Sequence, residues 1–331
     1  LALLQAPRAL PRFLKVSDEK DEEIKFVFLS SIIHEFANGL FNGMKVSGFY
    51  QFRVTRNSDL YLDQEEIKDV RDALESEMPT RQYGDAVRLE VSKNTPASII
   101  NYLLNHFELT IDKLYEVDGP VNLARLQDVP DQILQPKFKY NPFRQKTYLN
   151  TEKDIFQQIK AEDILIHHPY DSFENYLNYI HAALKDPNVL AIKQTIYRVA
   201  GNSKLMQLLI DCAKRSIAVT VVVELLARFD EEANINWAEQ LEAYGVNVVY
   251  GVVGYKTHAK MSMIIRKEGR RLARYVHLGT GNYHEKTSKL YSDFGIFTAN
   301  YQLCNEVDDV FNQITSMGKP KKTQINSTIS L

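Results

Sequence analysis

The run IAVTVVVEL at 217–225 limits the fold more than any other stretch of the chain. Its apolar residues do not alternate with polar ones, so both faces of the strand it forms have to be covered. A strand of that kind lies inside a sheet with helices layered against it. The flanking sequence agrees. From Asp163 onward, short apolar runs alternate with segments of helical spacing. DILIHH reads as a strand. Phe173, Tyr176, Leu177, Ile180 and Leu184 recur at helical spacing, with Asp171 or Ser172 placed to cap. VLAIKQTIYRV is a strand ending in the turn AGNS, and Leu205, Leu208, Leu209 and Cys212 mark the next helix. EEANINWAEQLEAYG is a helix closed by Gly245. VNVVYG, HAKMSMIIR, RYVHLGTG and YSDFGIFT follow as strands and NEVDDVFNQIT as a helix, with KEGRR as a hairpin turn around Gly269. The pattern predicts an α/β layered domain over 141–315, with a mixed sheet and helices on both faces.

Residues 1–140 read differently, as an α+β domain. FVFLSSIIHEFANGLF looks helical, and FYQFRVTR and AVRLEVS alternate as strands. EEIKDVRDALESEM and PASIINYLLNHF look like amphipathic helices, the second with Pro96 in its first turn and Thr95 as its cap. His34 and His106 fall within helical patterns, where packing is the expected role. The polar, proline-broken stretch at 137–154 reads as a linker, and 316–331 as a polar tail. The chain opens at Leu1 in mid-pattern, which reads as a piece of something longer.

Bulk properties exclude several classes. With 331 residues, 44% hydrophobic and 25% charged, the composition is that of a globular protein with more than one core. A net charge of −2 provides no global field for nucleic acid, and nothing indicates membrane association. No apolar run approaches the ~18 residues of a membrane span. Two cysteines, Cys212 and Cys304, make no disulfide framework or paired metal-ligand spacing, and fit a reducing cytoplasm. Charge is uneven, however. Between Lys256 and Lys289 nine Lys and Arg face only two acids, Glu268 and Glu285.

That basic stretch contains the chemistry. In THAK, His258 and Lys260 are two apart and so point the same way on a strand. They open their strand, whereas Arg198 closes TIYR, Arg228 closes VVVELLAR and Asn282 follows HLGTG. An antiparallel strand at 260 brings them all to one sheet edge, where ligands of open α/β sheets bind. The set suits phosphate. Arginine forks onto phosphate oxygens, lysine acts as a point charge, and Gly279 and Gly281 let backbone N–H groups approach an anion. A neutral imidazole is a nucleophile near pH 7. Plainer roles stand beside each of these. Arg198 can pair with a helix acid, Arg228 with Asp230 or Glu231, and GTGN can be only a turn. His277 faces either the site or the core. His167 and His168 point apart and form no metal pair. Tyr291 stacks a base, holds a phosphate oxygen, or is a buried strand tyrosine.

HAK followed by GTGN resembles one His-Lys half of a phospholipase-D-like active site. The longer series DILIHHPYDSF, AIKQTIYRV, VVVELLARFDEEANINWAEQLEAYGV, KTHAK, RYVHLGTGNYHEKT and LYSDFGIFT resembles the polyphosphate kinases built on that fold. Residues 1–140 resemble that family's head domain through PRF, FRVTR and VDGP. The resemblance implies an α+β head domain (1–140), a phospholipase-D-like α/β sandwich half-domain (141–315), and a tail (316–331) leading to a missing second half. It implies reversible transfer of the ATP γ-phosphate to polyphosphate through a phosphohistidine at His258, with Tyr291 contacting ATP. Arg198 and Arg228 match positions the family associates with Mg²⁺. A guanidinium has no lone pair for a metal, so both are expected to bind phosphate oxygens that carry the ion. Lys260 and Asn282 join the set on geometry alone.

The chain departs from the family in having HAK once and neither the N-terminal helical domain nor the second histidine-bearing half. The expectation is therefore an incomplete, inactive fragment of an enzyme that is homo-oligomeric at full length. The phospholipase-D plan also places an acid soon after the lysine, whereas here only Glu268 follows, too far along and in the turn. Two further readings remain: a phosphodiesterase dimer that rebuilds a two-histidine site, and a non-catalytic module that binds polyphosphate.

Overall fold

A computed structural model describes residues 1–7, 9–17, 23–41, 43–58, 70–78, 84–199, 202–225, 227, 230–251 and 256–315. They fall into two compact units, one drawn from Leu1–Asp59 and Pro79–Pro142, the other from Leu60–Met78 and Phe143–Leu331.

The first unit begins with an antiparallel pair, β1 (Phe13–Lys15) and β2 (Phe26–Phe28). Phe26–Phe28 belongs to the stretch expected to be helical throughout. Its alternating Phe-Val-Phe instead lays Phe26 and Phe28 against Phe13, at ring separations of 5.1 and 4.6 Å. Helix starts only at α1 (Leu29–Glu35), followed by α2 (Ala37–Leu40). A sheet of β3 (Phe52–Arg56), β4 (Ala86–Ser92) and β5 (Leu114–Val117) has β4 in the middle, antiparallel to β3 and parallel to β5. Between β3 and β4 in the chain lies α3 (Val70–Glu77), which belongs to the second unit. Helix α4 (Ala97–His106) buries Ile100, Leu103 and Leu104 on Leu89 and Val91 of β4. Thr95 does not cap it. Its hydroxyl donates to Ser92 O at 2.6 Å, and Pro96 takes the cap position. The short helix α5 (Val129–Gln132) follows.

The second unit contains the layered domain. Its elements are α6 (Ile155–Ala161), β6 (Ile164–His168), α7 (Glu174–Lys185), β7 (Val189–Ile196), α8 (Lys204–Lys214), β8 (Ala218–Val223), α9 (Glu231–Ala243), β9 (Asn247–Tyr250), β10 (Lys260–Glu268), β11 (Arg271–Gly279), β12 (Asp293–Thr298) and α10 (Tyr301–Thr315). Among the described residues they form a seven-stranded sheet in the order β6-β12-β11-β10-β7-β8-β9. β7, β8 and β9 run parallel, joined by α8 and α9, and the remaining pairs are antiparallel, so the sheet is mixed.

β8 shows why its apolar residues do not alternate with polar ones. Val219, Val221 and Val223 face the core shared with α6–α9, and Val222 faces Met261, Met263, Val276 and α10. Each such side chain, fully buried, contributes about 1.5–3 kcal/mol. Ser172, rather than Asp171, serves the start of α7, accepting from Glu174 N at 3.2 Å, while Asp171 accepts from His167 N at 2.7 Å. No helix among the described residues is long and apolar enough to cross a membrane.

Candidate functional site

Strand direction assembles the site. The carboxyl ends of β7 and β8 lie beside the start of β10, which runs the opposite way. Thr195 fixes the junction. Its hydroxyl donates to Ala259 O at 2.8 Å and accepts from Met261 N at 3.0 Å. On the other flank Lys260 is level with Gly279, and Gly279 with Gly295.

His258 precedes β10 rather than lying in it, on a segment held from beneath. Glu224, 2% exposed just past β8, accepts from the buried Thr257 N–H through Oε2 at 2.6 Å. Glu224 N donates to Ile196 O at 2.8 Å, which ties the carboxylate to β7 as well. The exposed imidazole of His258 meets Tyr197 edge-on, with ring centroids 4.8 Å apart. Lys260 Nζ lies 5.1 Å from the same Tyr197 ring and donates to His258 O at 2.5 Å. Lys260 is 7% exposed, and burial pushes its ammonium down to about 8, with Asp293 pulling the other way. Desolvation, then Lys260 and Lys256, lower the His258 pKa. The ring is therefore neutral at neutral pH, the form that attacks an electrophile.

Arg198 follows Tyr197 at the end of β7 and pairs with Asp230 at the start of α9, Nε to Oδ2 3.1 Å. The expected alternative, a helix acid for this arginine, is thus what the structure contains. Arg228 lies outside the described residues. Asn282 follows β11, with its Oδ1 buried and without a hydrogen-bond partner among the described residues. His284 lies in the same turn, and its Nδ1 accepts from Lys286 N and Thr287 N at 3.2 and 3.3 Å. Tyr291 is not the buried strand tyrosine. It precedes β12, is 63% exposed, and makes no ring contact with the others among the described residues. The structure thus gathers His258, Lys260 and Arg198 around Tyr197, sets Asn282 beyond the end of neighbouring β11, and leaves Tyr291 at the surface.

One further placement decides between two alternatives, and another differs from expectation. His277 faces the core, packed on Tyr176, Tyr283 and Phe297, with Nδ1 2.9 Å from the Tyr283 hydroxyl. Glu268 is the last residue of β10, not part of a turn. It binds Lys160 at 2.8 Å, Arg266 at 3.0 Å and Tyr275 at 2.5 Å, and the Lys160 and Tyr275 hydrogen bonds hold its carboxyl down at about 2. The acid close enough to act on Lys260 is Asp293 at the head of β12, whose Oδ1 accepts from Thr280 Oγ1 at 2.8 Å. Asp293, Glu224 and Tyr197 are the residues that sequence reasoning missed.

The turn GTGN is shaped around Asp293. Thr280 N donates to Phe294 O at 2.9 Å, so that amide serves the sheet and not an anion. A Cβ on Gly281 would lie 2.5 Å from Asp293 Oδ2. Gly281→Ala is expected to push the carboxylate away and to lose about 1–3 kcal/mol, the usual cost of overpacking. Urea unfolding measures the loss, and unchanged stability would show that Asp293 moves freely.

Comparison with known proteins matches both units. The polyphosphate kinase middle domain model matches residues 1–129, and the polyphosphate kinase C-terminal domain 1 model matches residues 154–320. A polyphosphate kinase of Neisseria meningitidis serogroup A is 49% identical over 324 residues, 97% of this chain and 47% of that protein. One from Burkholderia cenocepacia is 50% identical over 325 residues, 96% of this chain and 47% of that protein. The chain therefore spans about half the length of the curated relatives it matches. The crystal structure of polyphosphate kinase from Porphyromonas gingivalis superposes with a TM-score of 0.74 at 26% identity, covering 95% of this chain and 45% of that one. With one family model matching residues 154–320 and a second matching residues 1–129, the chain belongs to the polyphosphate kinase family.

Proposed function

We propose that the chain carries the phosphoryl-accepting half of an ATP:polyphosphate phosphotransferase, with His258 as the group that becomes phosphorylated. The observation that carries this reading is an exposed, neutral imidazole at a sheet edge, with a buried lysine two residues on and an arginine beyond the neighbouring strand. The ring nitrogen forms a bond to the γ-phosphorus as the bond from that phosphorus to the bridging oxygen breaks, and ADP leaves with the electron pair. The ring gives up its other N–H proton to solvent. A terminal oxygen of polyphosphate then bonds to that phosphorus as the N–P bond breaks, and the ring takes a proton back from solvent, which restores the neutral imidazole. Lys260 and Arg198 counter the charge on the transferring oxygens, where phosphoryl-transfer catalysis mostly acts. Arg228, Asn282 and Tyr291 belong to the same reading, as further phosphate and ATP contacts. ADP, polyphosphate and a homo-oligomeric parent complete it.

Mg²⁺ fits as a companion of the nucleotide. Among the described residues no group of three or more His, Cys, Asp or Glu could hold a metal ion. Mg²⁺ commonly keeps waters and is held through substrate phosphates, and Arg198 can hold those phosphates. When bound, the ion supplies further neutralisation of phosphate charge.

The test is labelling with γ-³²P-ATP, of this chain alone and of the chain substituted for its equivalent in the Neisseria meningitidis relative. Acid-labile, base-stable label is expected on the protein and is expected to vanish in His258→Ala. Undiminished label in that variant would refute the assignment of the nucleophile.

A further inference from the structure

Asp230 occupies a place where an aspartate normally serves a helix. It is the residue before α9, where its carboxylate would accept N–H groups of the first turn. It accepts none, and lies against Arg198 instead, 3.1 Å from Nε. The frame around the pair is fixed. Asn234, fully buried in the first turn of α9, donates through Nδ2 to Tyr197 O at 3.0 Å and to Glu224 O at 2.9 Å. One side chain thus clamps the helix to the ends of β7 and β8. Asp230 is held to that clamp by Asn234 N donating to its carbonyl at 2.8 Å. The two charged side chains themselves are open to solvent, 41% exposed for Arg198 and 30% for Asp230. A fixed backbone thus presents an exchangeable ion pair.

We propose that Asp230 is a positioning residue for Arg198: an internal counter-ion that holds the guanidinium at the sheet edge and is displaced by phosphate. The inference rests on the phosphate reading of the site. A solvent-exposed pair of this kind is weak, and phosphate oxygens offer the guanidinium fork two parallel acceptors and more charge. The exchange therefore runs toward phosphate when an anion arrives and back toward Asp230 when it leaves. The displaced carboxylate stays near enough to His284 to act on it, and that ring's Nδ1 is taken up as an acceptor, leaving the proton of the neutral ring on Nε2.

Removing the competing charge should tighten anion binding, and the gain should depend on Arg198. Tripolyphosphate binding to the whole 331-residue chain, by isothermal titration calorimetry without and then with Mg²⁺, tests this. Asp230→Asn is expected to tighten binding by up to about five-fold, the size of an exposed ion pair. Asp230→Glu is expected to stay close to wild type. In an Arg198→Ala background, Asp230→Asn is expected to change nothing. Weaker or unchanged binding in Asp230→Asn overturns the proposal. So does a gain that survives without Arg198, which would be a general charge effect. A loss seen only with Mg²⁺ overturns it in favour of a metal-bridging carboxylate. If the folded wild type binds no tripolyphosphate at all, the phosphate reading falls and this inference with it. The wrong sign in Asp230→Asn removes this inference alone.

Discussion

Glu224→Leu is expected to cut the rate of the phosphorylation proposed for His258 by about 100-fold while the fold survives. The leucine keeps the buried volume but leaves the Thr257 N–H without its 2.6 Å acceptor. An abandoned buried donor costs about 1–3 kcal/mol, and the cheapest relief is for residues 256–258 to move toward water. His258 is next in the chain, and a displacement of about 1 Å at a reacting group is enough for two orders of magnitude. Glu224→Gln separates geometry from charge. Its carbonyl oxygen can still accept from Thr257, so most of the rate should remain. Rapid-quench labelling reads the rate, and urea unfolding reads the stability. Equal losses in the two variants would mean that the negative charge matters and the hydrogen bond does not.

Acid is expected to weaken the second unit through His277. Its ring is 6% exposed and enclosed by Tyr176, Tyr283 and Phe297, and a Cβ on Gly295 would come within 2.6 Å of its Nε2. Burial pushes the pKa down to about 3, with His168 a smaller contributor of the same sign. An unfolded histidine titrates near 6.5. Between those values the unfolded chain binds the proton and the folded chain does not, so stability falls as pH drops from about 6.5 toward 3. At pH 5 the loss is about 2 kcal/mol relative to pH 7. Burial lowers His168, His181 and His284 too, so they add to the slope in the same direction. The difference between wild type and His277→Gln, which keeps an acceptor for Tyr283, isolates the one ring. Identical slopes for the two proteins would clear His277.

The sequence made legible whatever depends on near neighbours along the chain. IAVTVVVEL announced a strand covered on both sides because the valines of β8 are divided between two cores. HAK announced a histidine and a lysine on one side because two residues of extended chain return to the same face. Helix ends were less legible, since Thr95 and Asp171 found better partners than the N–H groups they were expected to serve. The site's acid was not legible. A search along the chain after Lys260 reaches Glu268, at the opposite end of β10 by strand geometry, roughly 25 Å away. Asp293 reaches Lys260 only because β12 lies next to β11 and β11 next to β10. Glu224 was hidden for the same reason, since the order β10-β7-β8 brings its carboxylate under Thr257.

That strand order also fixes a sequence of events. β12 is the last of the described strands to be made, yet it sits between β11 and β6, the earliest strand of the sheet. During synthesis β6 therefore emerges long before its neighbour exists, and its backbone donors and acceptors stay unpaired until Asp293–Thr298 arrives. His258 likewise leaves the ribosome ahead of Asp293, the carboxylate that acts on Lys260. A nascent chain halted before residue 298 would present an open sheet margin and lack Asp293 beside Lys260, so the pairing of β6 and the surroundings of Lys260 are completed by the same late strand.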